Sequence, residues 1–188
     1  MLHGSLIITA TIGLVVIAVV NSPKASGAHN QADVGAQKSM ITIPQSLQAE
    51  HHEIHEALVE ATRAPGRVGT AAKELAAVLH PHFERENQIA LPPLGLLAPL
   101  AAGQTPAGLE AALAMTDALR KELPRMLEEH KAIRAATEKL RVAAREEKAP
   151  AQEQLAAALA AHAQTEEEVL YPAAILVGDI IRARSAQK

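Results

Sequence analysis

The chain has 188 residues, enough for one well-buried domain and too few for two of ordinary size. Hydrophobic residues make up 48% of it and aromatics only 1%, so any core is built from Ala, Leu, Ile and Val, a composition that favours closely spaced helices. A formal net charge of -3, with Lys and Arg scattered among acids, excludes the basic face that nucleic acid requires, and the lack of cysteine excludes disulfides, thiolate metal sites and Cys nucleophiles.

In chain order, the first feature is an uninterrupted apolar run from Leu6 to Val20, followed by the polar, small-residue stretch NSPKASGAHNQADVG. Residues 1–28 read as a signal peptide, with Ala25 to Ala28 offering small residues for cleavage, or as a membrane anchor in which residues 2–20 just span a bilayer. Both readings imply an exported or membrane-anchored, extracytoplasmic protein. The charge pattern runs the other way, since Lys24 follows the run and no Lys or Arg precedes it. Translation from Met40 would instead give a cytoplasmic protein. Residues 29–41 form a linker, and residues 42–188 the folded domain.

Thr42-Ile-Pro-Gln45 has a capping-box pattern with Pro in the first turn, and predicts a helix running to the Pro65-Gly66 break. A second helix is expected from near Thr70, through HPHFERENQIA, to Leu91-Pro92-Pro93. The segment LPPLGLLAPLAAGQTPAG crosses to the other side of the bundle. Thr105-Pro106 caps a long third helix reaching about Lys148, bent at Pro124. A fourth helix starts near Pro150, reaches Tyr171-Pro172 and hands over to a short apolar helix ending in Arg182 and Arg184. The fold class is all-α, a four-helix up-and-down bundle with a short C-terminal helix and an N-terminal apolar segment.

The chain repeats itself. Glu50-His51 with Ile54 matches Glu129-His130 with Ile133 at an offset of 79, and His82, Glu86 and Pro92 match His162, Glu166 and Pro172 at an offset of 80. Two helical hairpins of one design follow, each giving a His from its first helix and a His-x-x-x-Glu from its second. Steps of three and four residues trace each helix's buried seam: Leu47, His51, Ile54, Leu58; then Leu75, Leu79, His82, Glu86, Ile89. The third helix gives Leu119, Leu123, Met126, His130, Ile133, Thr137, Leu140, and the fourth Leu155, Leu159, His162, Glu166, Val169. All six polar candidates lie on a seam, where an unpaired carboxylate costs several kcal/mol unless it is paired or metal-bound.

Residues at i and i+4 share a face, so His82 with Glu86 and His162 with Glu166 can approach one metal pair. Four imidazoles and two carboxylates without sulfur suit two iron ions first, then manganese or zinc. Coordination positions left open would admit dioxygen, nitric oxide or peroxide. A ferritin-type carboxylate site needs Glu-x-x-His pairs, and no histidine of the bundle has Glu three residues before it.

Through EHHEIHEAL, HFERENQIALP, EEHKAIRAA and HAQTEEEVLYP, about residues 46 to 175, the chain resembles the hemerythrin-like, or HHE cation-binding, family. The resemblance implies a di-iron bundle with His51, His82, His130 and His162 as terminal ligands and Glu86 and Glu166 as bridges. Members that transport oxygen carry a further His one turn after the third-helix ligand, where this chain has Arg134, which closes the pocket or pairs with an acid. The four-His, two-Glu set looks more like the di-iron domain of the repair-of-iron-centres proteins, whose cysteine-bearing N-terminal domain has no counterpart here. The repeat partner of Arg134 is His55, a candidate fifth imidazole from the first helix. His52 and His80 read as solvated, and Phe83 and Tyr171 as packing residues at the bundle end.

The expected function is a non-haem di-iron protein that binds dioxygen or nitric oxide, or holds iron, at an open dinuclear site. The alternatives are a di-iron enzyme reducing peroxide or nitric oxide, iron-centre repair, and a bundle using zinc only for stability.

Overall fold

The computed structural model describes residues 41–187. The apolar run and the expected signal or anchor lie outside the described residues. Among those described, no helix is long and apolar enough to cross a membrane.

Every regular element among the described residues is helical: α1 (Gln45–Thr62), α2 (Gly66–Arg85), the short α3 (Leu97–Ala101), α4 (Leu109–Glu146), α5 (Pro150–Thr165) and α6 (Tyr171–Ser185). The four long helices pack in a ring, α1 on α2, α2 on α4, α4 on α5 and α5 on α1. Alanines recurring along the inner faces, such as Ala61, Ala72, Ala143 and Ala156, allow the close approach that the composition led us to expect. The α1–α2 and α4–α5 turns meet at one end of the bundle. There the Glu147 carboxylate accepts hydrogen bonds from the backbone N–H groups of Arg67 (2.7 Å) and Val68 (3.2 Å), capping α2 from the other hairpin.

Helix starts differ from the sequence expectations. The capping box at Thr42 does not form: α1 follows Pro44 with no side-chain cap. Helix α2 begins four residues earlier than expected, at Gly66, because Glu147 supplies a cap from a distant part of the chain. Gly108, at φ +85°, takes the start of α4 in place of Thr105-Pro106. Helices α2 and α4 run on through Pro81 and Pro124, both exposed, so the carbonyls that these prolines leave unpaired face water. The crossover segment is itself partly helical, a 3₁₀ turn at Pro92–Leu96 followed by α3.

The second and fourth helices each widen into one π turn, at Glu86–Ala90 and Glu166–Leu170. In each, the next N–H reaches back five residues, Leu91 to Glu86 and Tyr171 to Glu166, just ahead of Pro92 and Pro172. Proline lacks a donor and clashes with the carbonyl four residues back, and a widened turn relieves that clash. The extra residue also shifts the seam. Val169, expected inside, is 55% exposed, while Tyr171 is buried; in the first hairpin Ala90, not Ile89, is the fully buried residue.

Two apolar clusters fill the bundle on either side of a polar layer. One contains Ile54, Leu58, Leu75, Leu79, Phe83, Ile133, Leu140 and Leu159. The other contains Leu91, Leu94, Leu119, Met126, Tyr171 and Ala174. Gly69, in α2, lies so close to the α1–α2 turn that a Cβ would fall 1.9 Å from the Ala64 carbonyl oxygen. Gly69→Ala is expected to lower stability by about 1–3 kcal/mol in a urea titration. An unchanged midpoint would show that the turn can back away.

Candidate metal centre

The polar layer consists of His51, His82, Glu86, His130, His162 and Glu166, all buried, with Glu86 completely so. Each ring of the layer projects from a different long helix. The two glutamates enter at the first residue of the two π turns, one turn beyond His82 and His162.

The carboxylate oxygens divide the layer in two. Glu86 Oε2 and Glu166 Oε1 turn toward His51 and His162: His51 Nε2 lies 3.9 Å from the former and 3.5 Å from the latter, and His162 Nε2 is 3.0 Å from Glu166 Oε1. Glu86 Oε1 and Glu166 Oε2 turn toward His82 and His130, each 3.3 Å from the nearer ring nitrogen. Each half therefore gathers two imidazoles and one oxygen from each glutamate, all mutually within 4.8 Å, and each set can hold a metal ion.

Hydrogen bonds outside the layer fix which nitrogen points inward. The Nδ1 of His82 meets Glu129 Oε2 at 2.9 Å, that of His130 meets Glu167 Oε1 at 2.7 Å, and that of His162 meets Glu50 Oε1 at 3.0 Å. A ring donating from Nδ1 presents a bare Nε2 lone pair to the interior. Glu50 of α1 thus orients His162 of α5, while its repeat partner Glu129 of α4 orients His82 of α2. Arginines hold two of these carboxylates: Arg85 and Arg125 on Glu129, and Arg134 on Glu167 at 2.6 Å. Of the two roles open to Arg134, pairing with an acid is therefore the one it takes.

The donor set fits a cation. His82 Nε2 and His130 Nε2 face each other at 2.8 Å, although both rings donate outward from Nδ1, so two lone pairs meet unless a proton or a metal lies between them. In the other half, His51 Nε2, Glu86 Oε2, His162 Nε2 and Glu166 Oε1 are all buried without a hydrogen-bond partner. Four such orphans converging on one point would cost several kcal/mol in a purely structural core.

Four functional side chains escaped the sequence reading. Glu50, Glu129 and Glu167 each adjoin a ligand candidate in sequence and brace a different ring across the bundle. Tyr171, read from sequence as packing, brings its hydroxyl to Glu86 Oε1 as donor and within 3.3 Å of His82 Nε2 and 3.2 Å of His130 Nε2. Its repeat partner is Leu91, so the second half of the layer has a polar cap that the first lacks. The signal available was the Glu-His doublet shared by both hairpins. His55 does not join the layer: it is exposed, with its ring 6.5 Å from that of His80.

Protonation follows from burial and neighbours. Burial and the nearby Glu166 charge push Glu86 up, whereas Glu166, despite burial, is held well below the ordinary carboxylate range by the imidazoles of His130, His162 and His51 gathered around it. Burial disfavours charge on His162, but Glu166 and Glu50 outweigh it and raise its pKa to about 9. Burial keeps the Tyr171 hydroxyl protonated well beyond its ordinary range.

These features define an all-helical bundle protein with a buried His/Glu cluster able to hold metal. Residues 121–186, a stretch that carries His130, His162 and Glu166, match the family model of the Hemerythrin HHE cation binding domain. No curated protein and no solved structure matches the chain.

His162 titrates from 6.5 in the unfolded chain to about 9 in the folded, metal-free one, so its contribution to stability is full below pH 6.5 and is lost as pH rises through 9. A metal needs the neutral ring, so metal affinity should climb over that same window. Thermal unfolding of the metal-free chain, and competition with a chelator, should accordingly show slopes of opposite sign between pH 6.5 and 9.

Proposed function

We propose that the chain is a non-haem di-iron protein of hemerythrin-like type, binding a small ligand such as dioxygen or nitric oxide, or holding iron, at an open dinuclear site. The observation that carries this reading is the division of each glutamate's two oxygens between two pairs of imidazoles, the arrangement that a bridging carboxylate requires. His51 and His162 would hold one ion, His82 and His130 the other, with Glu86 and Glu166 shared between them. Nitrogen and oxygen donors without sulfur favour iron over softer metals. Two iron ions, once bound, would supply electrons and binding capacity for a diatomic or peroxide ligand.

The chain's own residues set the terms of that binding. The three bracing glutamates keep Nδ1 protonated on His82, His130 and His162, aim Nε2 inward and strengthen each ring as a donor. Tyr171 seals the His82 and His130 half with a hydroxyl that stays protonated, and can donate to a negatively charged oxygen at the layer. The other half is the more accessible. His51 lines a cavity of about 390 Å³ and has no bracing partner on Nδ1, while Phe83 stacks on its ring at 4.2 Å. Small ligands are accordingly expected to approach from the His51 side. The pairing of Arg134 with Glu167 leaves no additional imidazole one turn beyond His130, which favours nitric oxide binding or iron holding over reversible oxygen carriage.

The full-length chain loaded with ferrous iron under low oxygen should show near-ultraviolet or visible bands that change on addition of nitric oxide or air. Tyr171→Phe should keep its iron but release the bound ligand several-fold faster. A spectrum indifferent to both gases would refute ligand binding, and rapid turnover of peroxide would move the function to an enzyme.

A further inference from the structure

Seven histidines fall among the described residues, and the four in the polar layer leave three. Those three, His52, His55 and His80, all line the same cavity of about 390 Å³, whose wall also includes His51 of the layer. The cavity lies in the groove between α1 and α2, with Gln48, Phe83, Glu84 and Asn87 completing much of its lining. Chance placement of solvated histidines would scatter them around the bundle. Their shared place along a groove that also touches a candidate ligand calls for a chemical explanation.

The spacing is that of the core. His52 pairs with Glu56 at 3.5 Å and His80 with Glu84 at 3.3 Å, each an i, i+4 pair on one helix face, as His82 is with Glu86 and His162 with Glu166. His55 of α1 faces His80 of α2, with ring centroids 6.5 Å apart. Surface ion pairs of this kind add little to stability, and none of these side chains supports the core. Imidazole from both helices, with carboxylate one turn away, is instead the ligand set of an exposed, labile site for a divalent transition metal, completed by water.

We propose that the α1–α2 groove is such a site, with His55 and His80 as its principal ligands and His52 and Glu84 in support, at the mouth of the cavity that reaches His51. It differs from the buried layer in being solvated and preformed only in part, so its affinity is lower and its exchange faster. It needs no assumption about the metals held inside.

The test is a titration of the full-length, metal-free chain with cobalt(II), whose visible bands report ligand number, alongside the double variant His55→Ala/His80→Ala. Both residues are exposed, so the variant should fold, as circular dichroism checks. The wild-type chain should bind about one more cobalt than the variant, in the weakest phase of the titration. In Glu166→Gln the weak phase should persist whatever happens to the core, so failure of the buried centre and failure of the surface site are separately visible. Equal cobalt totals and identical bands in wild type and double variant would overturn the proposal.

Discussion

Two carboxylates buried between apolar clusters, with four imidazoles turned toward them, are the constraint to which the rest of the bundle conforms. Desolvating Glu86 and Glu166 costs several kcal/mol each, and the protein offsets this by directing ring nitrogens, a tyrosine hydroxyl and, on our reading, metal at their oxygens. The widened turns follow from the same demand. At Glu86 and Glu166 the helices change pitch at the residue whose side chain has to reach two partners, and Pro92 and Pro172 hold each helix to that change.

The two halves of the layer, each drawing one ring from each hairpin, are related in design but not in detail, and the differences run in one direction. His82 and His130 are braced, capped by Tyr171 and sealed beside the Leu91, Leu119 and Met126 cluster. His51 has Phe83 on its face and a solvated groove at its side. A pseudo-symmetric frame thus carries a closed half and an accessible half. Such an arrangement lets one half anchor while the other exchanges ligands, and it places the surface histidines beside the accessible one.

Much of this was legible in the sequence because helical periodicity and the two-hairpin repeat are local signals. Every one of His51, His82, Glu86, His130, His162 and Glu166 lies where its seam put it. What escaped depended on geometry across the bundle. Glu147 caps α2 from the other hairpin, moving the start of that helix by four residues. The π turns moved Val169 out and Tyr171 in, because a constant 3.6-residue period cannot register one added residue. Glu50, Glu129 and Glu167 could not be matched to the rings they brace, since those rings lie on other helices. His55 sits one turn from His51 yet on the groove rather than in the layer, a distinction of helix rotation that spacing alone could not resolve.

The central claim is that two metal ions share the glutamates of one buried layer. X-ray absorption at the iron edge of the iron-loaded, full-length chain tests it directly. The account predicts nitrogen and oxygen neighbours together with an iron–iron vector of roughly 3.5 Å. A shell of light atoms with no second iron would contradict it.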